Sequence, residues 1–363
     1  MEANQKVRIK AGLIRHVAIS KDGKTAFAGD SDRVIQVWDV ARRSLIRTIS
    51  DSSKNHKTVP CYAFCDAGRF ALVGNANGFP GRNPSTRLDP ETLVLWDLAK
   101  GRRLRAFETN GEPILNVALS PDGKWALSTG VCKKIIPKDG DLPPTVLKSV
   151  RLWDTSNGRL VRTLVPELSG TLPVSFSANG KLCAVGVRPK KAGDVVNGWH
   201  LMFWETGSGQ PKGALEAIED NDVECIAFSG NGQCVAAASE YTCRVWDLET
   251  RNLKWCEFRD TRKNIMREPW RIKSLAFSPN SKVLAAAGPE TDYVFKVPHE
   301  TALGGIVFLN SSTGKKISSF DATKNWVRSI AFTPDGLSLL GATADGLRLW
   351  DAVSGKTRFT FIK

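Results

Sequence analysis

Apolar and polar residues alternate along this chain in short runs, and no long stretch of helical period interrupts them. Seven segments share an apolar triplet, a small residue and then a turn: VAISKDG (17–23), YAFCDAG (62–68), VALSPDG (117–123), VSFSANG (174–180), IAFSGNG (226–232), LAFSPNS (275–281) and IAFTPDG (330–336). Each is followed by a second apolar run, such as TAFAG after Lys24 or LSLLG after Gly336. Alternation with period two marks a strand with one buried face. Asp-Gly or Asn-Gly between two such runs marks a hairpin, and the turn expected is type I′, with positive φ at both central residues. A third apolar run follows in every case: IQVWD (35–39), LVLWD (93–97), VRLWD (150–154), LMFWE (201–205), CRVWD (243–247), IVFLN (306–310) and LRLWD (347–351). A short turn then leads to a fourth, as in GRLVRTL (158–164) or GKKISSF (314–320). The predicted unit is four short antiparallel strands, a–b–c–d, made seven times. One such unit cannot bury both faces, so the seven must stack, and stacking into a closed ring leaves few sheet edges exposed.

The pairs that end the third strands, Trp38-Asp39, Trp96-Asp97, Trp153-Asp154, Trp246-Asp247 and Trp350-Asp351, resemble those of WD40 repeats. Trp204-Glu205 and Leu309-Asn310 are the departures. The resemblance covers essentially the whole chain. It implies an all-β, seven-bladed WD40-type β-propeller, each blade a four-stranded antiparallel sheet, with residues 1–363 forming one such domain. Familiar WD40 units also carry a Gly-His pair ahead of strand a, whose His joins a buried network with an Asp, a Ser or Thr and the Trp. No Gly-His pair occurs here. Asp32 sits where that network's Asp would be, and Glu240 takes the place in blade 5. With the network incomplete, stability must lean on apolar packing between blades. Ring closure has two candidates, the alternating Val7 and Ile9 at one end and Phe359 and Phe361, in a strand d at 356–362, at the other. Both cannot fill one position.

Repeats share what the fold needs and differ where function sits. Blades 2, 3, 4 and 6 are longer than the others, and the excess falls between strands b and c, at about 76–92, 131–149, 187–198 and 288–304. In WD40 propellers the b–c and d–a loops emerge on the same face, the top, so the resemblance places all four inserts there. Loops accept insertions at small entropic cost, yet four on one face suit an elaborated binding rim. Two residues before each apolar triplet, where the chain enters strand a, stand Arg15, Pro60, Leu115, Leu172, Glu224, Lys273 and Arg328. Two positions further back are Leu13, Thr58, Pro113, Gly170, Asp222, Arg271 and Trp326. Blades 6, 7 and 1 adjoin in a ring, which would set Lys273, Arg271, Arg328, Trp326 and Arg15 along one arc. The long basic crossing 259–273 adds Trp270.

Charge sharpens this picture. The 363 residues hold 51 Lys and Arg against 37 Asp and Glu, a net charge of +14, which favours anionic partners. Arg and Trp are over-represented among protein-binding hot spots, and the same pair can hold a nucleic-acid strand on phosphate and base. No metal-spaced partner accompanies His16, His56, His200 or His299, and no Gly-rich phosphate loop opens a helix. Cys225, Cys234, Cys243 and Cys256 fall on or beside the four strands of blade 5, too spread for one zinc ion at a strand spacing of about 4.8 Å; they and the pair Cys61 and Cys65 read as structural thiols. Residues 1–10 lack the apolar core of a secretory signal, and no run approaches the roughly 18 apolar residues of a membrane span. The expectation is a cytoplasmic, non-enzymatic interaction platform without cofactor, metal or membrane contact, working within a complex. Its partner-binding arc would be Arg15, Trp270, Arg271, Lys273, Trp326 and Arg328, and the partner a protein or peptide of acidic or mixed character. Binding of RNA or DNA on the same arc, and an enzyme site in the central channel, remain the alternatives.

Overall fold

The computed structural model describes residues 13–50, 60–76, 91–135, 145–168, 172–187, 199–217, 223–239, 242–258, 272–289, 304–323 and 326–361. Blade 1 is built from β1 (Ile14–Ile19), β2 (Thr25–Asp30), β3 (Val34–Asp39) and β4 (Ser44–Ser50); blade 2 from β5 (Pro60–Phe64), β6 (Phe70–Asn75), β7 (Leu93–Asp97) and β8 (Arg102–Ala106). Blade 3 has β9 (Ile114–Leu119), β10 (Trp125–Ile135), β11 (Thr145–Asp154) and β12 (Leu160–Leu168); blade 4 has β13 (Val174–Phe176), β14 (Leu182–Val187), β15 (Trp199–Glu205) and β16 (Pro211–Ala217). Blade 5 follows with β17 (Cys225–Phe228), β18 (Cys234–Ala238), β19 (Thr242–Asp247) and β20 (Leu253–Phe258), and blade 6 with β21 (Ser274–Phe277), β22 (Val283–Pro289), β23 (Gly304–Asn310) and β24 (Lys316–Thr323). Blade 7 holds β25 (Val327–Phe332), β26 (Ser338–Thr343), β27 (Gly346–Asp351) and β28 (Thr357–Thr360). Every sheet is antiparallel in the order a–b–c–d, and the seven stand in a ring.

Strand a is innermost and is stitched to the strand a beside it. The Val17 N–H donates to Ser329 Oγ at 3.2 Å and the Ile330 N–H to Ser274 Oγ at 3.1 Å. The first of these bonds closes the ring between blades 7 and 1. Blade 7 takes its fourth strand from the C-terminal segment, β28 on β27, which decides between the two closure candidates; Val7 and Ile9 lie outside the described residues.

The core is divided among the seven interfaces. Each buried cluster joins two neighbouring blades, as Phe27, Ile35 and Val37 of blade 1 join Tyr62, Val73 and Trp96 of blade 2. The strand-c Trp of each blade faces the blade before it: Trp38, Trp96, Trp153, Trp204, Trp246 and Trp350 all do so. Blade 6 has Leu309 instead, and there Trp255, from strand d of blade 5, fills the same interface. The expected WD40 network is replaced, not merely lost. Trp153 Nε1 donates to Ser128 Oγ at 2.9 Å and Trp38 Nε1 to Gln36 Oε1 at 3.2 Å. Asp32 does not take the network position; it is exposed in the b–c turn, where its carboxylate meets Ser31. Glu240 lies outside the described residues.

The a–b hairpins correct the turn type. Gly23 N–H bonds Ser20 O at 2.8 Å with positive φ at Gly23 alone, so the turn is of type I closed by one left-handed residue. Asp22 causes this: its Oδ1 accepts from Ser20 Oγ at 2.6 Å and from the Lys24 N–H at 3.0 Å, while Ser20 Oγ accepts the Thr25 N–H. A carboxylate that binds its own backbone two residues on favours this loop over the tighter one. Ser120 with Asp122, Ser177 with Asn179, Ser229 with Asn231, Ser278 with Asn280 and Thr333 with Asp335 repeat the pattern.

In the c–d turns the Asp of the Trp-Asp pair has an equally local task. Asp39 Oδ1 accepts the Arg42 N–H at 2.7 Å, and Asp97, Asp247 and Asp351 accept the N–H three residues on in the same way. Asn310 does so too. Glu205, one methylene longer, takes the Ser208 hydroxyl at 2.6 Å instead.

Candidate functional site

Antiparallel order puts the b–c turns and d–a crossings at one end of the ring, so the residues that lead into strand a form a rim around the channel on that face. Blades 2, 3 and 4 have Pro60, Leu115 and Leu172 at this position; Pro60 and Leu172 are buried and Leu115 is partly exposed. Blades 5 and 6 contribute Glu224 and Lys273, which pair: Lys273 Nζ lies 3.1 Å from Glu224 Oε2. Lys273 is therefore bound to the neighbouring blade's acid rather than standing in an unbroken basic arc. Its positive charge is largely spent at the blade 5–6 boundary.

Blades 7 and 1 carry the cationic sector. The Val17–Ser329 bond fixes β1 against β25 and so brings Arg15 and Arg328 to adjacent places on the rim. The Arg328 guanidinium lies over the Trp326 ring at 3.9 Å, a cation–π stack. Arg15 is half-buried, and its Nε is enclosed without a hydrogen-bond partner among the described residues. His16 follows Arg15 in the same strand; burial first, then the charges of Arg15 and Arg328, push its pKa down to about 4, so the ring is neutral at pH 7. Tyr62 of blade 2 lies 6.0 Å from His16 between ring centroids and donates to Asp30 O at 2.7 Å. Burial, followed by the Asp30 charge, holds the Tyr62 phenol well above its usual range.

Of the residues expected in the arc, Arg15, Arg328 and Trp326 come together, Lys273 is diverted to Glu224, and Trp270 and Arg271 lie outside the described residues. The sequence alignment held the clue to the diversion, since Glu224 and Lys273 occupy the same repeat position in adjacent blades. It held no clue that His16 would be neutral. A second partly buried pair escaped the reading altogether: Arg151 on β11 meets Glu112, from the crossing before β9, through two contacts of 2.7 Å.

The inserts differ in how far they are strand. In blade 3 the region 131–149 is not simply a loop, because β10 and β11 continue as a hairpin to the pair Ile135–Thr145, with a bulge between Val131 and Lys133. In blade 6 pairing runs on to Pro289 and Gly304. Residues 77–90, 136–144, 188–198 and 290–303 lie outside the described residues.

The thiols of blade 5 do not converge. Cys225 and Cys243 both register with Ala238, one on each side of it, while Cys234 is at the opposite end, beside Asp247. All eight cysteines stand as thiols. Burial pushes Cys61, Cys183 and Cys225 up to about 12, away from reactivity. Among the described residues no three His, Cys, Asp or Glu side chains gather to hold a metal ion, and no helix is long and apolar enough to cross a membrane.

Comparison with known proteins agrees with the repeat fold. A family model described as WD domain, G-beta repeat matches residues 6–39, 209–247 and 314–351. The chain is 24% identical to the small ribosomal subunit protein RACK1 of Caenorhabditis elegans over 63% of this chain and 74% of that one. It is 24% identical to a WD repeat-containing protein of Schistosoma mansoni, SL1-17, over 54% and 56% of the two chains. With the guanine nucleotide-binding protein subunit beta of Arabidopsis thaliana it shares 25% identity over 66% and 59%. The matched region spans little more than half the length of the last two.

Proposed function

For this chain, a seven-bladed WD40-repeat β-propeller, we propose the role of a non-enzymatic platform that docks a protein or peptide on the face bearing the b–c turns and d–a crossings. One observation carries the reading. The rim on that face gathers Arg15, Arg328 and Trp326, all partly exposed, at the blade 7–1 junction, whereas the corresponding Pro60 and Leu172 are buried. Arg beside Trp is the composition of an interface hot spot, where few anchors supply most of the affinity and charge speeds encounter. Two of the relatives are by name parts of assemblies, one a small ribosomal subunit protein and one the beta subunit of a guanine nucleotide-binding protein, which supports a place within a complex. The thiol state of all eight cysteines suits a cytoplasmic, reducing setting.

The test is capture from native extract by the tagged chain, with and without nuclease, using the wild type and a variant with Arg15, Lys273 and Arg328 all changed to Glu. The expected result is a defined set of proteins that persists after nuclease and is lost in the variant. The variant's thermal transition is read beside its capture, so that lost binding is told from lost folding; Lys273→Glu, which sets a partly exposed Glu against Glu224, should itself cost about 1 kcal/mol or less. Partners that vanish with nuclease would move the reading to nucleic acid. Partners retained by the variant would move the docking site off this rim.

A further inference from the structure

We propose that the face opposite the rim, built from the a–b and c–d turns, rests on an anionic lipid bilayer, with Leu337 and Val353 as the side chains that enter its headgroup layer. The inference goes beyond the platform reading and leaves the rim face free.

The turns of this face are even. All seven a–b turns are five residues long, from 20–24 in blade 1 to 333–337 in blade 7, and the c–d turns are four or five. All lie among the described residues, and none carries an insert. Equal turns on equivalent blades give a broad, level surface.

That surface is basic. The fourteen turns hold thirteen Lys and Arg against five Asp and Glu, and all thirteen are exposed. The acids that close strand c just beneath them are put to local use. Asp39, Glu205, Asp247 and Asp351 pair with Arg42, Lys212, Lys254 and Arg358. Asp97 is buried, and Asp154 accepts from Ser156 and Asn157. Among the described side chains, every exposed Lys or Arg lies in these turns or in the first three residues of a strand d. At the other end of the strands the exposed charges among them are acids: Asp32, Glu108, Glu216, Asp321 and Asp345. Strands of about six residues set the two ends about 20 Å apart. That exceeds a Debye length at physiological salt, so a surface against the turns meets the cations with little opposition from those acids.

Blade 7 distinguishes a bilayer from other polyanions. The last residue of the a–b turn is Lys24, Arg69, Lys124, Lys181, Gln233 and Lys282 in blades 1 to 6, and Leu337 in blade 7. Two residues past the end of strand c the other blades have Ala, Ser, Gly or Glu, and blade 7 has Val353. The Ala352 N–H donates to Leu337 O at 3.0 Å, which holds these two turns together, and the two side chains are 54% and 83% exposed. Exposed Pro334 shares the turn of Leu337, and exposed Pro279 of blade 6 lies against Gly336. Lys282, Lys315, Lys356, Lys21 and Lys24 occupy the turns of blades 6, 7 and 1 around this patch, and none has an ion pair among the described residues. An aliphatic pair gains nothing against a phosphate backbone, and the fourteen turns hold no Trp, Tyr or Phe on which a base could stack. Against a bilayer the pair is buried at the headgroup boundary while the surrounding lysines meet anionic headgroups. No helix among the described residues is long and apolar enough to cross a membrane, which bears on spanning a bilayer and not on lying against one.

The probe is vesicles of phosphatidylcholine, alone or with one part in three of phosphatidylserine, and binding is read by co-sedimentation over a range of salt. The chain should bind the anionic vesicles, leave the neutral ones free and lose affinity as salt rises. Changing Lys24, Lys282 and Lys356 together to Gln should weaken binding at least about ten-fold, since each basic residue near an anionic surface contributes about five-fold. Leu337→Lys with Val353→Ser gives blade 7 the residues of blade 6 and adds one positive charge. Charge alone would then tighten binding, whereas loss of the inserted pair should weaken it about five-fold. Orientation is read with a polarity-sensitive dye on Val353→Cys or on Asp32→Cys, the wild type taken through the same labelling as background. Emission should shift to the blue on anionic vesicles at the first position and not at the second. Thermal transitions of each variant separate lost binding from lost folding. The proposal is overturned if anionic vesicles are not bound, if the Leu337→Lys, Val353→Ser chain binds as tightly as the wild type or more so, or if the dye responds at Asp32→Cys instead. Tighter binding of a short DNA duplex, indifferent to Leu337 and Val353, would overturn it in favour of nucleic acid. None of these readouts uses protein capture by the rim, so either reading can fail while the other stands.

Discussion

His16 and the aspartates of the c–d turns show how far a residue's neighbours decide what it does. Unfolded, His16 takes its proton near pH 6.5; folded, it does so only near 4. Between those values the unfolded chain binds more protons, so stability is full above pH 6.5 and falls as pH drops toward 4, by roughly 3 kcal/mol at most. Urea unfolding at pH 7 and at pH 4.5 should show that decline, and His16→Gln should remove most of it; an equal decline in both proteins would assign it elsewhere. The turn aspartates act in a lower window. Asp351 is held well below the usual carboxylate range, first by the Ser354 N–H and then by Arg358, and Asp154 and Asp247 are lowered by their own turns. Their contribution is present above about pH 4 and lost below it. The turn residues were legible as letters, because Ser-x-Asp-Gly and Trp-Asp repeat. The sign of φ at Asp22 was not, because it follows from where its carboxylate bonds.

Between elements, the blades are joined by a device with two spellings. The c–d turn of every blade ends in a left-handed residue, with φ between 57° and 79°: Arg43, Gly101, Gly158, Gly209, Arg251, Gly314 and Gly355. Where that residue is Gly, a large side chain on strand d of the preceding blade lies on it: Arg47 on Gly101, Arg105 on Gly158, Arg162 on Gly209, Trp255 on Gly314 and Phe320 on Gly355. Arg105 also donates to Ser156 O and Asn157 O. Where it is Arg, the contact reverses. Arg43 covers Phe359 at 5.0 Å, and Arg251 lies on Gly213 and donates to Lys212 O. The space therefore holds one large side chain, from either blade. Gly213→Arg alone should destabilise by about 2 kcal/mol or more, since two arginines then compete for one site. In an Arg251→Gly background the same change should cost at least about 1 kcal/mol less, a coupling that a double-mutant cycle in urea measures. Additive effects would show that the two positions do not share the space. The residue four places after each turn was visible in the repeats, but its partner in the next blade was not.

At the scale of the whole molecule the ring is a closed chain of equivalent interfaces, and closure is borne by the last one made. Phe361 is packed in the blade 7–1 cluster, 5.6 Å from Trp38 and 4.9 Å from Phe359 between ring centroids. Phe361→Ala should lower stability by about 3 kcal/mol or more, read as a lower urea midpoint, and the loss should not depend on salt. A loss under about 1 kcal/mol would mean that closure rests on β28 pairing alone. What the sequence determined by itself is what short-range physics writes: the period of two, the hairpin signals, the seven-fold count, and the blade as a sheet that has to stack. Tertiary structure alone decided which charges meet across blades. Lys273 pairs with Glu224, 49 residues away, and Val17 meets Ser329 across 312 residues. The neutrality of His16, the reach of Trp255 into the interface of Leu309 and the grouping of Arg15 with Arg328 depend on the same long-range closure. Periodicity and turn chemistry act between neighbours in sequence, whereas Coulomb energy, burial and packing act between neighbours in space.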